Sequence, residues 1–153
     1  MNFSRQSICT FAVAVCAAFA LPAAAQNTPT EAANKKMVVE FYERVLFKMD
    51  SEAATQYIGD KYIQHNPNVP DGVQALQAFV AKRKADGAQN FSSIKRAFAD
   101  GDFVILHVHS VRAAGERGSA IVDLFRVENG KIVEHWDVVQ PVPEKAANNN
   151  TMF

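Results

Sequence analysis

The sequence predicts a segregated α+β domain, with helices from the N-terminal half closing over a curved antiparallel sheet. Three observations carry this. Apolar residues recur at helical spacing within residues 37–49 and again within 73–80. After Gly87 the period changes to alternation. Asp100 with Gly101, residues 113–118, and Asn129 with Gly130 then punctuate the alternating half into four strands.

Each element follows in order. Residues 1–25 hold one basic residue, Arg5, an apolar run from position 8 to 21, then Pro22 and three alanines. This is the layout of a secretory signal peptide cut after Ala25. The run is shorter than the ~20 residues a bilayer-spanning helix needs, so no membrane association is expected once the signal is removed. Both cysteines, Cys9 and Cys16, leave with it, so 128 of the 153 residues remain without a thiol. Disulfides, cysteine nucleophiles and thiolate metal sites are thereby excluded, and an apolar core or self-association must supply the stability. The segment carries one of 16 basic residues and none of 16 acidic ones, leaving a formal charge of −1. No nucleic-acid-binding face follows from that balance. The expected organisation is a signal at 1–25, one domain over 26–143 and a flexible polar tail over 144–153, exported to the periplasm or secreted.

Thr30 offers an N-cap for a first helix near 30–49, whose buried stripe includes Met37, Val38, Phe41, Tyr42, Val45, Leu46 and Met49. Asp50 or Ser51 caps a second, short helix that turns Ala54, Tyr57 and Ile58 inward. Pro67 and Pro70 make residues 61–72 a shaped loop. Asp71 and Gln74 form a capping box for a third helix that buries Val73, Leu76, Phe79 and Val80. Strands are expected near 90–99, 102–112, 119–128 and 131–140.

Candidate site residues follow from strand register. A two-residue Asn-Gly turn pairs Glu128 with Lys131, and counting back places Asp123 opposite Trp136. Side chains alternate, so Asp123 and Phe125 share a face with Glu134 and Trp136, while Val122, Leu124, His135 and Asp137 take the other. In the preceding strand either His107 or His109 falls opposite Asp123. A carboxylate flanked by Val122 and Leu124 and facing tryptophan is expected to be buried, and a buried carboxylate needs a donor or a raised pKa. Such a face, mixing apolar and titratable groups beneath helices, suits a small-molecule pocket, with Tyr62, His65 and Asn66 reaching its open end. His65 also has a simpler reading as a loop-fixing hydrogen bonder. His107, His109 and Asp123 together lack the further donors of a metal set, so no metal is expected. His135 and Asp137 are assigned a structural or subunit-contact role, because the Val- and Leu-rich face carrying Val122, Leu124 and His135 has no cover within the chain. A second copy of the protein would supply one.

The order of elements, the YIQHNP loop and the DLFRVENGKIVEHWD hairpin together resemble the SnoaL-like group of the nuclear transport factor 2-like superfamily, from about Thr30 to Pro143. The resemblance implies a conical barrel, in which helices close a curved sheet around a deep apolar pocket, often dimerised through the sheet. Polyketide cyclase members of the group perform aldol condensation without metal or organic cofactor, using a pocket aspartate and a nearby histidine. Carried over, these roles fall on Asp123 and on His109, with His107 as competitor; His65 and Trp136 would line the cavity beside Phe125. The implied ligand is a small apolar or carbonyl-containing molecule. The fold hosts many activities, including binding and assembly without catalysis, and in the expected register no aspartate-arginine-aspartate set of the epoxide hydrolase kind shares one face.

Overall fold

A computed structural model describes residues 27–153; the signal-peptide expectation therefore lies outside the described residues. Helix α1 (Pro29–Phe41) starts two residues earlier than the Thr30 cap implies, because Thr28 and Glu31 form a reciprocal capping box with Pro29 in the first turn. At Tyr42–Phe47 the helix widens into a π-helical segment, so the first predicted helix is helical almost to its expected end. The second predicted helix is a 3₁₀ segment, Glu52–Gln56, which leaves two α-helices rather than three among the described residues.

The residues expected to form a loop contain a strand. Strand β1 (Ile58–Gln64) ends just before the two prolines and pairs in parallel with the last strand. The backbone amide of Gln64 donates to Asp71 Oδ1 at 2.7 Å, so Asp71 braces the turn and α2 (Val73–Ala85) begins without a side-chain cap. The strands β2 (Ser93–Asp100), β3 (Phe103–Ser110), β4 (Ser119–Glu128) and β5 (Lys131–Pro141) complete an antiparallel meander. The sheet order is β1-β5-β4-β3-β2.

The core lies between the inner sheet face and the helices. Val38, Phe41 and Val45 come from the first helical stretch and Val80 from α2; Val104, Leu106, Val108, Phe125 and Ile132 meet them from the sheet. Each such fully buried aliphatic or aromatic side chain contributes about 1.5–3 kcal/mol.

Register is where the structure departs from expectation. Asn129 and Gly130 both take positive φ, Glu128 pairs with Lys131 and Val127 with Ile132, as a tight Asn-Gly turn requires. Arg126 then pairs with Glu134, so Val133 is an extra, bulged residue. The bulge has a seat: Val133 packs over Gly59 of β1, where an added Cβ would stand 3.1 Å from its Cγ1. From there inward every face assignment on β5 is reversed. Asp123 pairs with Asp137, not Trp136, and Leu124 pairs with Trp136.

Gly118 closes the β3–β4 connection at φ +72°, and a Cβ there would overlap the Ser110 carbonyl oxygen. Gly118→Ala should cost about 2 kcal/mol or more, read as a lowered urea midpoint, because strain and backbone overlap add. An unchanged midpoint would contradict this placement of the loop.

Candidate functional site

The inner faces of β4 and β5, the π-helical segment and the β1–α2 connection enclose a cavity of about 410 Å³. That is within the size range of small-molecule sites. Asp123 lies at its floor, 4% exposed. Its Oδ2 accepts the Tyr42 hydroxyl proton at 2.9 Å, and its Oδ1 lies 3.0 Å from His135 Nε2. Tyr42 is the first residue of the π-helical segment, and this hydrogen bond ties that widened turn to the sheet.

The hydrogen bonds fix where protons sit. The Asn66 amide donates to Gln64 Oε1 at 3.1 Å, so that oxygen is an acceptor. It faces His135 Nδ1 at 2.7 Å, and Nδ1 therefore carries a hydrogen. With Nδ1 protonated, the short contact between His135 Nε2 and Asp123 Oδ1 requires one further proton shared by the pair. It resides on the acid or on the imidazole. Burial pushes the Asp123 carboxyl above its usual range; the hydrogen bond and charge of His135 and the Tyr42 hydroxyl oppose the shift, and Asp137 adds to it. Burial, followed by the Asp123 charge, likewise drives the Tyr42 hydroxyl well above its ordinary pKa, so it stays a donor.

Two further groups complete the floor. Asp137 Oδ2 accepts from Asn66 Nδ2 at 2.7 Å. The Tyr62 hydroxyl accepts from Gln64 Nε2 at 3.3 Å, and its own hydrogen has no acceptor among the described residues. Tyr62 thus brings an uncommitted donor to the cavity wall. Phe125, 1% exposed, packs its ring 4.7 Å from that of His135 and forms the apolar side.

The sequence-predicted residues divide sharply. Asp123, Tyr62, Asn66 and Phe125 meet at the cavity. His107 and His109 do not: β3 turns the fully buried Val104, Leu106 and Val108 inward, which sends both histidines to the outer face. There His107 Nδ1 lies 2.8 Å from Arg96, His109 Nε2 lies 2.8 Å from the Arg117 carbonyl, and Phe153 packs against both rings. The expected pairing of Asp123 with His107 or His109 is replaced by Asp123 with His135. Trp136 and His65 also leave the pocket, since the bulge turns Trp136 outward and the two rings stack at 4.5 Å. His65 Nε2 meets Glu134 at 2.9 Å, and Glu134 bonds Arg126 at 2.7 Å, so His65 fixes its loop to the sheet's outer surface.

His135 and Asp137, read from sequence as structural, are the residues that reasoning missed. The available signal was the adjacent apolar pair Ile132 and Val133 just after the turn, which breaks strict alternation at the place where the bulge falls. Asp123, His135 and Asp137 present ligand atoms within 4.8 Å of one another, a donor set of the kind divalent metals use. Two of those atoms already share a proton, and a metal would have to displace it.

Residues 38–135 match a sequence model of the SnoaL-like domain. The chain belongs to the SnoaL-like family. No curated protein matches it. Similar solved structures include a candidate SnoaL-like polyketide cyclase from Jannaschia, 17% identical over 76% of this chain and 91% of that one, with a TM-score of 0.63. An LEH-like epoxide hydrolase from M. tuberculosis is 19% identical over 73% and 86%, with a TM-score of 0.61. A candidate ketosteroid isomerase from Kribbella flavida is 13% identical over 80% and 89%, with a TM-score of 0.64. At these identities the likeness shows the nuclear transport factor 2-like fold of this SnoaL-like chain and nothing of its reaction.

Proposed function

We propose that the cavity binds a small carbonyl-containing molecule and catalyses acid–base chemistry of the aldol, cyclisation or isomerisation type without a cofactor. The observation that carries this is the buried Asp123–His135 pair, sharing one proton inside a partly apolar cavity. The pair removes a proton from the carbon next to the carbonyl. The electron pair passes to the carbonyl oxygen, and the free Tyr62 O–H donates to the enolate so formed. Taking up that proton leaves a neutral acid beside an imidazolium, whose charge the Asp137 carboxylate, held by Asn66, balances. Return of the proton to carbon completes an isomerisation; attack of the enolate on a second carbonyl completes a condensation.

Loss of α-proton signals from a panel of small ketones and 1,3-dicarbonyls in D₂O, followed by ¹H NMR, tests the reading. The protein should accelerate exchange of at least one of them above the buffer rate. Binding without any accelerated exchange would instead make it a ligand-binding module.

The outer sheet face exposes Val122 and, to 67%, Val138, beside half-buried Leu124. The structure moves His135 out of that face. The proposed homodimer would therefore bury the valines and Leu124 alone, and a sedimentation profile showing only monomer would refute it. Export to the periplasm or medium remains part of the proposal; N-terminal sequencing of the exported chain should begin at Gln26.

A further inference from the structure

Seven arginines occur in the sequence, six of them among the described residues. Four are engaged: Arg44 with Asp50, Arg96 with His107, Arg117 with the Val142 carbonyl and Arg126 with Glu134. Arg83 and Arg112 have neither a hydrogen bond nor an ion pair among the described residues, and both line the cavity that holds Asp123. Arg83 is half-buried on α2 with its guanidinium 5.8 Å above the Phe79 ring; Arg112 is exposed just beyond β3. Both are less buried than Asp123 and so lie on the solvent side of the cavity, and the charge of Arg112, after burial, makes Arg83 easier to deprotonate. Glu116 is the nearest acid along the chain to Arg112 in the groove they both border, but its Oε2 takes the Ala113 amide. Apart from His135, the only other charged side chains lining the cavity are Asp123 and Asp137 at the floor, and no ion pair links them to either arginine.

Two guanidinium groups that line one cavity without an anion repel each other. A planar carboxylate between them would relieve that repulsion and take two-pronged hydrogen bonds. We propose that Arg83 and Arg112 form an anion subsite, so that the substrate is a small apolar molecule carrying a carboxylate at the end opposite its reacting carbonyl. The anion subsite stands on the arginines alone. The position of the reacting carbonyl rests on the acid–base reading above.

The test uses ω-phenyl-2-oxo acids of increasing chain length and their methyl esters, with binding measured by calorimetry at low salt. At least one acid should bind about tenfold or more tightly than its ester. Arg83→Gln and Arg112→Gln should each reduce that preference, and the double variant should abolish it with an unchanged melting temperature. Arg112→Lys should keep part of it. Acids binding no better than esters at any length, or a preference that survives the double variant, overturns the subsite. Exchange and binding measured side by side on the wild-type protein separate this proposal from the catalytic one. Anion preference retained while no ketone shows accelerated exchange leaves the subsite standing and the catalysis refuted. Exchange of neutral ketones with no acid preference does the reverse.

Discussion

Asp123→Asn should fold with an undiminished melting temperature and lose roughly 10²- to 10⁴-fold in α-proton exchange. The asparagine oxygen can accept from Tyr42, and its amide can donate to His135 Nε2, so both hydrogen bonds of the native pair survive while the titratable group disappears. The pH dependence gives the sign. Because the folded carboxyl has a raised pKa, the native state binds more protons than the unfolded chain between the ordinary carboxylate pKa and the raised one. The stabilisation is therefore complete below the ordinary value and is lost as pH rises through the raised one. Wild-type stability should fall across that window and the variant's should not. Activity moves the other way, since a base must be unloaded, so kcat/KM should rise with pH through the same window. A variant that unfolds, or that retains full exchange, contradicts the assignment.

Phe125→Ala should cost about 3–5 kcal/mol of stability, measured as a shift in denaturant midpoint at constant slope. The ring is 1% exposed and meets Phe41 edge-on at 5.8 Å, Tyr42 at 6.3 Å and His135 at 4.7 Å. Its removal opens a cavity that those neighbours cannot close, because Tyr42 and His135 are themselves tied to Asp123. A loss below about 1 kcal/mol would mean that the helix and sheet pack less tightly there than the structure shows.

What the sequence made legible, and what it hid, has a single physical origin at the β4–β5 hairpin. The Asn129–Gly130 turn, the strand limits, the burial of Asp123 and the pocket contacts of Tyr62, Asn66 and Phe125 all follow from local patterns. The partner of Asp123 did not. One bulged residue, Val133, exchanges His135 for Trp136 on the inner face, and a side-chain period of two turns one extra residue into a complete reversal. On β3 the sequence alternates as a strand should, yet both faces hold apolar residues. Packing chose Val104, Leu106 and Val108 over the face with His107 and His109. Strand β1 was hidden by the nearby prolines, although it stops three residues before Pro67.

The proton shared by Asp123 and His135 is the centre of this account, and NMR titration of the protein with ¹⁵N-labelled histidine and ¹³C-labelled aspartate reads it directly. His135 Nδ1 should carry its hydrogen, held by Gln64, and the Asp123 carboxyl carbon should report a titration step above the ordinary carboxylate range that is absent from Asp123→Asn. A bare Nδ1, or an Asp123 carboxyl titrating in the ordinary range independently of His135, would contradict it.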